Sequence, residues 1–229
     1  LTRLLHESLR MTQTKKPKPG AKDAKSNSTL WWILGGIVGL GLIVALAFSI
    51  ASEEPVDESL GYGDPTVTGD PLPVYAAGEE DVSAGLTAPT VEGADWEGNP
   101  VTIEPDGTPK IVIFLAHWCP HCQAEVPVIQ QWINDGNVPD TVELVSVATS
   151  TDRLRPNWPP QDWLEEEGWT PPVIMDDEIS TVAVNYGMSS TPMFVVLDGN
   201  NTNLGRITGE LSIDALDQLV QVAEASIEG

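Results

Sequence analysis

The sequence predicts an α/β domain that is preceded by one N-terminal transmembrane helix. Residues 30–50 are apolar and carry no charge, which is typical of a membrane-spanning segment. Two short apolar runs, residues 111–115 and 142–148, have the composition of strands that are buried on both faces. Between them, from Pro120 onward, apolar side chains recur at the spacing of one helical face. Strand, helix and strand in this order form one βαβ unit with a parallel pair of strands.

The uncharged segment at residues 30–50 predicts an uncleaved membrane anchor. Its 21 residues would span roughly 30 Å as a helix, whereas the apolar core of a secretory signal has about 7 to 15 residues. Residues 1–29 carry seven of the eleven basic side chains, and acidic residues follow the span. By the positive-inside rule, residues 1–29 form a cytoplasmic basic tail. We therefore predict a single-pass protein of the cell membrane whose folded domain lies outside the cytoplasm.

The part of the chain after the predicted anchor is strongly acidic. Residues 51–229 carry four basic and 32 acidic side chains, a net charge of -28. Nucleic acid is excluded as a partner, because its phosphates would be repelled. An acidic surface keeps a domain soluble, and two more specific explanations are a high-salt habitat and cationic client proteins. The sequence does not separate these explanations.

Residues 51–84 are predicted to be an acidic linker, and residues 85–229 the folded domain. The linker is rich in Glu, Asp, Gly and Pro and poor in large apolar residues, so it is predicted to bury no core. In the domain, residues 90–103 predict two short strands around a turn at residues 96–99. The later predicted elements are helices at residues 161–167, 178–186 and 212–225, strands at 193–197 and 204–208, and a turn at 198–201. Trp158, Trp163 and Trp169 are predicted to pack the first of these helices onto the domain or to form a rim that binds clients.

Both cysteines lie in one short motif, Trp118-Cys119-Pro120-His121-Cys122, at the opening of the predicted helix. Pro120 suits the first helical position, so Cys119 becomes the N-cap, where free N–H groups and the helix dipole stabilise a thiolate. Cys122, one turn later, is predicted to be more buried. This arrangement predicts disulfide exchange, with a mixed disulfide at Cys119 that Cys122 resolves. A purely structural disulfide is disfavoured, because so short a loop restricts the unfolded chain very little.

The histidines have different predicted roles. His121 can stabilise the Cys119 thiolate through its ring N–H or its positive charge, which would make the protein a stronger oxidant. The alternative for His121 is a solvent-facing residue without an electronic role. Nothing in the position of His117 demands an imidazole, so it is predicted to lie at the surface. Two cysteines and three histidines make a closed metal cage improbable, and no cofactor or metal is expected.

The residues from about Gly85 to Ala225 resemble a thioredoxin-fold thiol-disulfide oxidoreductase, most closely the membrane-anchored TlpA/ResA-like group. The resemblance implies a central mixed sheet flanked by helices and client contacts at Trp118, Thr191 and Pro192. Pro192 would be the family's cis-proline. The matching residues are Ala88-Pro89, Asn99-Pro100-Val101, the cysteine motif, Glu125-Val126-Pro127, Tyr186-Gly187-Met188-Ser189-Ser190-Thr191-Pro192 and Leu197-Asp198-Gly199.

The resemblance leaves the direction of electron flow open. The Pro-His dipeptide is typical of DsbA-like oxidants, and Ile113 stands where many thioredoxins have a buried acid that deprotonates the resolving thiol. Both features favour oxidation, whereas TlpA/ResA-like proteins commonly reduce apocytochrome c thiols. The expected partners are exported client proteins and a membrane redox partner that resets the cysteine pair. That partner would be a quinone-linked oxidase for an oxidant, or an electron conduit from the cytosol for a reductant.

Two other functions known on this fold are those of a peroxidase, which the sequence disfavours, and of a copper chaperone. Peroxidases of this fold need a hydroxyl residue three positions before the reactive cysteine, and Ala116 stands there. A copper chaperone could use Met175, Met188 and Met193 as soft ligands. Packing in the core or at its rim is the alternative for these methionines.

Overall fold

The computed structural model describes residues 61–227. The predicted cytoplasmic tail and membrane anchor lie outside this range. No helix within it is long and apolar enough to cross a membrane. Its elements, in chain order, are β1 (Thr66–Thr68), β2 (Thr90–Ala94), β3 (Pro100–Ile103), β4 (Lys110–Leu115), α1 (Pro120–Asn134), β5 (Glu143–Ala148), α2 (Pro160–Glu166), β6 (Val173–Met175), α3 (Thr181–Asn185), β7 (Met193–Leu197), β8 (Asn203–Thr208) and α4 (Ile213–Ala225).

A five-stranded mixed sheet forms the centre of the domain. Its strand order is β6-β5-β4-β7-β8. β4, β5 and β6 run parallel, and β7 pairs antiparallel with both β4 and β8. All six residues of β4 are buried, because this strand is central and both faces of the sheet are covered. The parallel pair of β4 and β5 is as the sequence pattern predicted, and the mixed sheet is as the resemblance implied.

The two faces of the sheet carry separate hydrophobic cores. Ile111, Ile113 and Leu115 point to a core that includes side chains of α1, α2 and α4. The alternate residues Val112 and Phe114 point to a second core, which includes side chains of α3, β2 and β3. This alternation follows from the two-residue period of a strand. The helices therefore flank the sheet on both faces.

Most predicted elements are confirmed to within a few residues, but one helix is shorter and one strand of the central sheet was not predicted. The helix predicted at residues 178–186 is shorter and begins at Thr181, because Ser180 has a φ of 60° in the left-handed region. Asp177 accepts a hydrogen bond from the backbone N–H of Thr181 at 2.8 Å and so closes the turn before the helix. The short edge strand β6 was not predicted. α1 ends at Asn134, shortly before Gly136 with its φ of 80°, as the sequence indicated.

The predicted boundary of the folded domain at Gly85 is wrong, because residues 61–84 belong to the fold. β1 pairs with β2 in a three-stranded antiparallel sheet. Leu72 is 4% exposed and Tyr75 is 9% exposed, and both contribute to the second core. Val67 packs against the same core, and polar contacts also hold the segment in place. Residues 51–60 of the predicted linker lie outside the described residues.

Arg206 of β8 fastens this early segment to the sheet. Its Nε and Nη2 donate hydrogen bonds to the two carboxylate oxygens of Asp81, at 3.0 and 2.7 Å. Its Nη1 donates to the carbonyls of Pro73 and Tyr186, at 2.8 and 2.9 Å. The arginine side chain is 0% exposed and that of Asp81 is 10% exposed. Its guanidinium group therefore joins three separate parts of the chain in one buried cluster.

Candidate active site

The cysteine motif lies between the carboxyl end of β4 and the start of α1. Pro120 occupies the first helical position and is exposed, and Cys119 is the N-cap in an extended conformation. Cys119 is 6% exposed and Cys122 is 0% exposed, and both are free thiols. Only the first sulfur can therefore be reached from solvent. This is the asymmetry that the sequence predicted.

Thr191 and Pro192 lie beside the motif. The Cys119 thiol donates a hydrogen bond to the carbonyl oxygen of Thr191 at 3.3 Å. The Thr191-Pro192 peptide bond is cis, as the resemblance implied. Phe114 near the end of β4 pairs with Met193 at the start of β7. The cysteine motif, which follows β4, and Thr191-Pro192, which precede β7, therefore lie at the same end of the sheet. The predicted site residues are thus brought together by long-range pairing.

The first thiol ionises more readily than an ordinary cysteine. Burial alone would raise the pKa of Cys119. A side-chain hydrogen bond from Thr191 and the backbone N–H groups of Cys122 and His121 outweigh burial and lower the pKa below its ordinary value. Cys119 is therefore suited to be both the attacking thiolate and a good leaving group.

The second thiol has the opposite character. Burial raises the pKa of Cys122 to about 12. The backbone N–H of Ala116 donates a hydrogen bond to its sulfur at 3.4 Å, which offsets a part of this rise. A negative charge on Cys119 raises it further. When both thiols are free, Cys122 therefore keeps its proton at neutral pH.

His121 is exposed and pairs with a residue that the sequence did not indicate. Its Nδ1 lies 2.6 Å from Oε1 of Glu210, in the loop between β8 and α4. The hydrogen bond and the charge of Glu210 raise the pKa of His121, and the charge of Cys119 raises it further. The partner is 89 positions away in the chain, so no local pattern could have predicted it. The pair favours a positively charged imidazole next to the Cys119 thiolate.

Glu125 is a buried carboxyl group near the second thiol. It is 2% exposed and accepts a hydrogen bond from the backbone N–H of Leu211 at 2.9 Å. Burial raises the pKa of Glu125, and the charge of Glu210 raises it further. Cys122 and Glu125 are three residues apart on α1, a spacing that places their Cβ atoms about 5 to 6 Å from each other. Glu125 therefore offers a proton acceptor near Cys122, although Ile113 is buried where many thioredoxins have their acid.

The prediction that His117 lies at the surface is wrong. His117 is 1% exposed. Its Nδ1 lies 2.6 Å from the carbonyl oxygen of Pro156, and its Nε2 accepts a hydrogen bond from the backbone N–H of Asp152 at 3.2 Å. These two bonds require a proton on Nδ1 alone, and burial lowers the pKa of His117. The burying loop is far away in sequence, so local pattern gave no sign of it.

Trp118 is half-buried and lies against the loop of residues 150–157. Its Nε1 donates a hydrogen bond to the carbonyl of Ser150 at 2.7 Å. The guanidinium carbon of Arg155 lies 4.8 Å from the centre of its ring. Trp118 thus joins the cysteine motif to this loop.

Two of the three clustered tryptophans pack into the core. Trp163 is 5% exposed, and Trp169 donates from Nε1 to the hydroxyl of Ser146 at 3.0 Å. The predicted packing role of these two tryptophans with α2 is therefore confirmed. The ring of Trp158 lies against the ring of His117, and the two ring centres are 6.1 Å apart.

All three methionines that could act as soft ligands are buried or partly buried, and Met188 and Met193 pack in or against the second core. Met193 is 0% exposed and Met175 is 8% exposed. Met188 is partly buried against the second core. Within residues 61–227, no group of three or more His, Cys, Asp or Glu side chains is placed to hold a metal ion.

Several solved structures are similar to this fold. A thiol:disulfide interchange protein of the thioredoxin family from Chlorobium tepidum TLS matches at a TM-score of 0.50 and 23% identity, covering 63% of this chain and 99% of that chain. StoA from Bacillus subtilis matches at a TM-score of 0.48 and 20% identity, covering 59% of this chain and 98% of the StoA chain. A secreted Mycobacterium tuberculosis disulfide oxidoreductase homologous to E. coli DsbE matches at a TM-score of 0.46 and 22% identity. The match covers 57% of this chain and 93% of that chain. The first of these similarities identifies the fold as thioredoxin-like.

A family model agrees with this fold. None of the curated proteins matches the sequence. The model of the AhpC/TSA family matches residues 84–204, a range that holds both cysteines and the strands β2 to β7. This range is more than half of the chain. The chain therefore belongs to the AhpC/TSA family.

Proposed function

We propose that this protein is a thiol-disulfide oxidoreductase that forms disulfides in exported client proteins through Cys119 and Cys122. The observation that carries the proposal is the opposite character of the two thiols at the start of α1. Cys119 borders solvent and has a lowered pKa, whereas Cys122 is buried and has a pKa raised to about 12. The solved structure that identifies the fold is itself a thiol:disulfide interchange protein, which supports the same chemistry.

The proposed reaction begins with a disulfide between the two cysteines. A client thiolate attacks the Cys119 sulfur, the bond to Cys122 breaks, and Cys122 leaves as a thiolate that takes up a proton. A second client thiolate then attacks the client sulfur of the mixed disulfide, and Cys119 leaves as a thiolate. The client loses two electrons and gains a disulfide, and the protein ends with two reduced cysteines. The lowered pKa of Cys119 speeds its release in the second step.

The surroundings of Cys119 favour oxidation over reduction. Interactions that stabilise its thiolate stabilise the reduced pair and make the disulfide a stronger oxidant. His121, whose pKa is raised by Glu210, is one such interaction, and the N–H groups at the start of α1 are another. In this proposal, Thr191 and Pro192 present the backbone edge against which an extended client lies, with Trp118 at its rim.

A second candidate function is reduction of apocytochrome c thiols, and one observation favours it. A reductant needs Cys122 to lose its proton before it attacks the mixed disulfide. Glu125 is a buried carboxyl group with a raised pKa, three residues beyond Cys122 on the same helix. It is suited to accept that proton.

The proposal also places the protein in the cell membrane as a single-pass protein with its domain outside the cytoplasm. The uncharged span at residues 30–50 and the basic tail before it support this placement. Since each turnover leaves two reduced cysteines, a membrane redox partner must oxidise them again.

The test is oxidation of a dithiol peptide by the oxidised full-length chain in detergent micelles. We expect one peptide disulfide to form for each pair of protein thiols that appears, as followed by mass spectrometry. Hydrogen peroxide offered to the reduced protein serves as the second substrate. Rapid peroxide consumption without peptide oxidation would contradict the proposal and indicate a peroxidase. We expect slow consumption, because Ala116 supplies no hydroxyl group near Cys119.

A further inference from the structure

The exposed arginine side chains of the described domain are confined to one loop. Residues 61–227 contain four basic side chains, Lys110, Arg153, Arg155 and Arg206. The side chains of Lys110 and Arg206 are 2% and 0% exposed and are paired with carboxylates. Arg155 has a side chain that is 56% exposed, and Arg153 is also exposed. Both lie in the loop of residues 150–157, on a domain whose other exposed charges are acidic apart from His121 next to Cys119.

This loop is fixed by partly buried hydrogen bonds to His117 and Trp118, the two residues before Cys119. His117 contacts it twice, through Asp152 and Pro156. The side-chain amide of Asn157 donates to the carbonyl of His117 at 3.2 Å. The bond from Trp118 to Ser150 adds a fourth contact. The positions of the two arginines are therefore set by the residues that immediately precede Cys119.

Arg155 has unused capacity to bind a carboxylate. Its Nε lies 3.4 Å from an oxygen of Asp152, and its guanidinium group stacks on Trp118. A guanidinium group has five N–H donors, so one such contact leaves others free, and more than half of the side chain faces solvent. Leu154, 87% exposed, adds an apolar surface next to it.

We propose that Arg155, with the positive charge of Arg153 nearby in the same loop, binds a carboxylate that lies close to the reactive cysteine of the client. This inference rests on the proposed function and adds the class of client. An acidic segment is repelled by the carboxylates on the rest of the domain and attracted by the arginines beside Trp118 and by His121 beside Cys119, so it is guided to the active site. Clients with Asp or Glu next to their cysteine are therefore preferred over clients with neutral or basic neighbours.

The test compares three dithiol peptides that differ only in the residues flanking one cysteine, which are Glu, Gln or Lys. Their rates of oxidation by the oxidised full-length chain are measured at low and at high salt. At low salt we expect the Glu peptide to react about fivefold faster than the Gln peptide, the size of effect given by a surface ion pair. High salt should remove most of this difference, because it screens exposed charges.

Three variants separate charge from other effects. Arg155→Gln should lower the preference for the Glu peptide to about twofold or less, and Arg155→Lys should keep it. Asn200→Asp is the control. It lowers the net charge by one, as Arg155→Gln does, but at the opposite end of the sheet. This position follows Leu197, which pairs with Lys110, whereas Met193 at the active-site end pairs with Phe114. Asn200→Asp should therefore keep the preference.

The outcomes distinguish the inference from the function on which it rests. If the wild type oxidises the three peptides at equal rates, the inference is wrong and the proposed function stands. If Arg155→Gln slows all three peptides to the same extent, Arg155 only supports Trp118, and the inference is again overturned. If no peptide is oxidised by the wild type, the proposed function itself fails.

Discussion

Replacing Cys119 by serine abolishes disulfide exchange, whereas replacing Cys122 by serine preserves the first step and traps a mixed disulfide. The loss for Cys119→Ser should be on the order of a thousandfold or more, as for removal of other catalytic nucleophiles. Cys119 is the sulfur that borders solvent and has the lowered pKa. Cys122 is 0% exposed, so it is shielded from direct attack on a client.

The trap is measured with reduced Cys122→Ser protein and a peptide disulfide. The Cys119 thiolate attacks the peptide, forms a mixed disulfide and releases one peptide thiol, and the protein has no second thiol to complete the exchange. Mass spectrometry should show a stable adduct with one peptide per protein. The Cys119→Ser/Cys122→Ser protein is the control and should form none. An adduct on Cys119→Ser but not on Cys122→Ser would show that the two roles are reversed.

Replacing Arg206 by methionine lowers the free energy of unfolding by about 3 to 5 kcal/mol, the cost of breaking a buried ion pair by removing one partner. The change leaves Asp81 without its cation and removes the donors to the carbonyls of Pro73 and Tyr186. The segment of residues 61–84 should then exchange its amide hydrogens faster, above all at Leu72, whose N–H bonds to the carbonyl of Asn185 at 2.8 Å.

The stabilisation by the Arg206–Asp81 pair depends on pH, because the pKa of Asp81 differs between the folded and the unfolded protein. Burial alone would raise the pKa of Asp81, but the hydrogen bonds from Arg206, Ser83 and Asn203 lower it well below its ordinary value. A carboxylate with a lowered pKa stabilises the fold fully above its unfolded pKa, about 3.9, and this stabilisation is lost as the pH falls through the folded pKa. The difference between wild type and Arg206→Met should therefore shrink in strong acid.

Urea unfolding, followed by tryptophan fluorescence, measures the effect of Arg206→Met at neutral pH. Arg155→Met is the matched control, because the same exchange at an exposed arginine should cost less than about 1 kcal/mol. Adding Asp81→Asn to Arg206→Met should recover part of the loss, since it removes the unpaired charge. A loss below about 1 kcal/mol for Arg206→Met would show that the cluster does not hold the early segment in place.

Local sequence pattern predicted the parts of the fold and the site that depend on near neighbours. The βαβ unit follows from the period of apolar side chains in residues 111–148. The position of Cys119 as N-cap follows from Pro120 directly after it. The greater burial of Cys122 follows from its place one turn into a helix that packs on the sheet.

Contacts between distant parts of the chain were not predictable in this way. The composition of residues 61–84 indicated a linker, because its average polarity concealed Leu72 and Tyr75 and could not show that Arg206 would bind Asp81. His117 was placed at the surface because the residues that cover it come about 35 to 39 positions later. Glu210 has no local motif at all, since its role comes only from meeting His121 across 89 positions.

The measurement that tests the central claim most directly is the equilibrium reduction potential of the Cys119–Cys122 pair against glutathione, with His121→Ala and Glu210→Gln alongside. We predict a potential near the DsbA value of about -120 mV for the wild type. His121→Ala should lower it by about 30 mV or more, a tenfold change in the equilibrium constant, because the thiolate loses its charged neighbour. Glu210→Gln should lower it less, because it only makes the imidazole easier to deprotonate. A potential below about -220 mV that neither variant changes would contradict the claim and indicate a reductant.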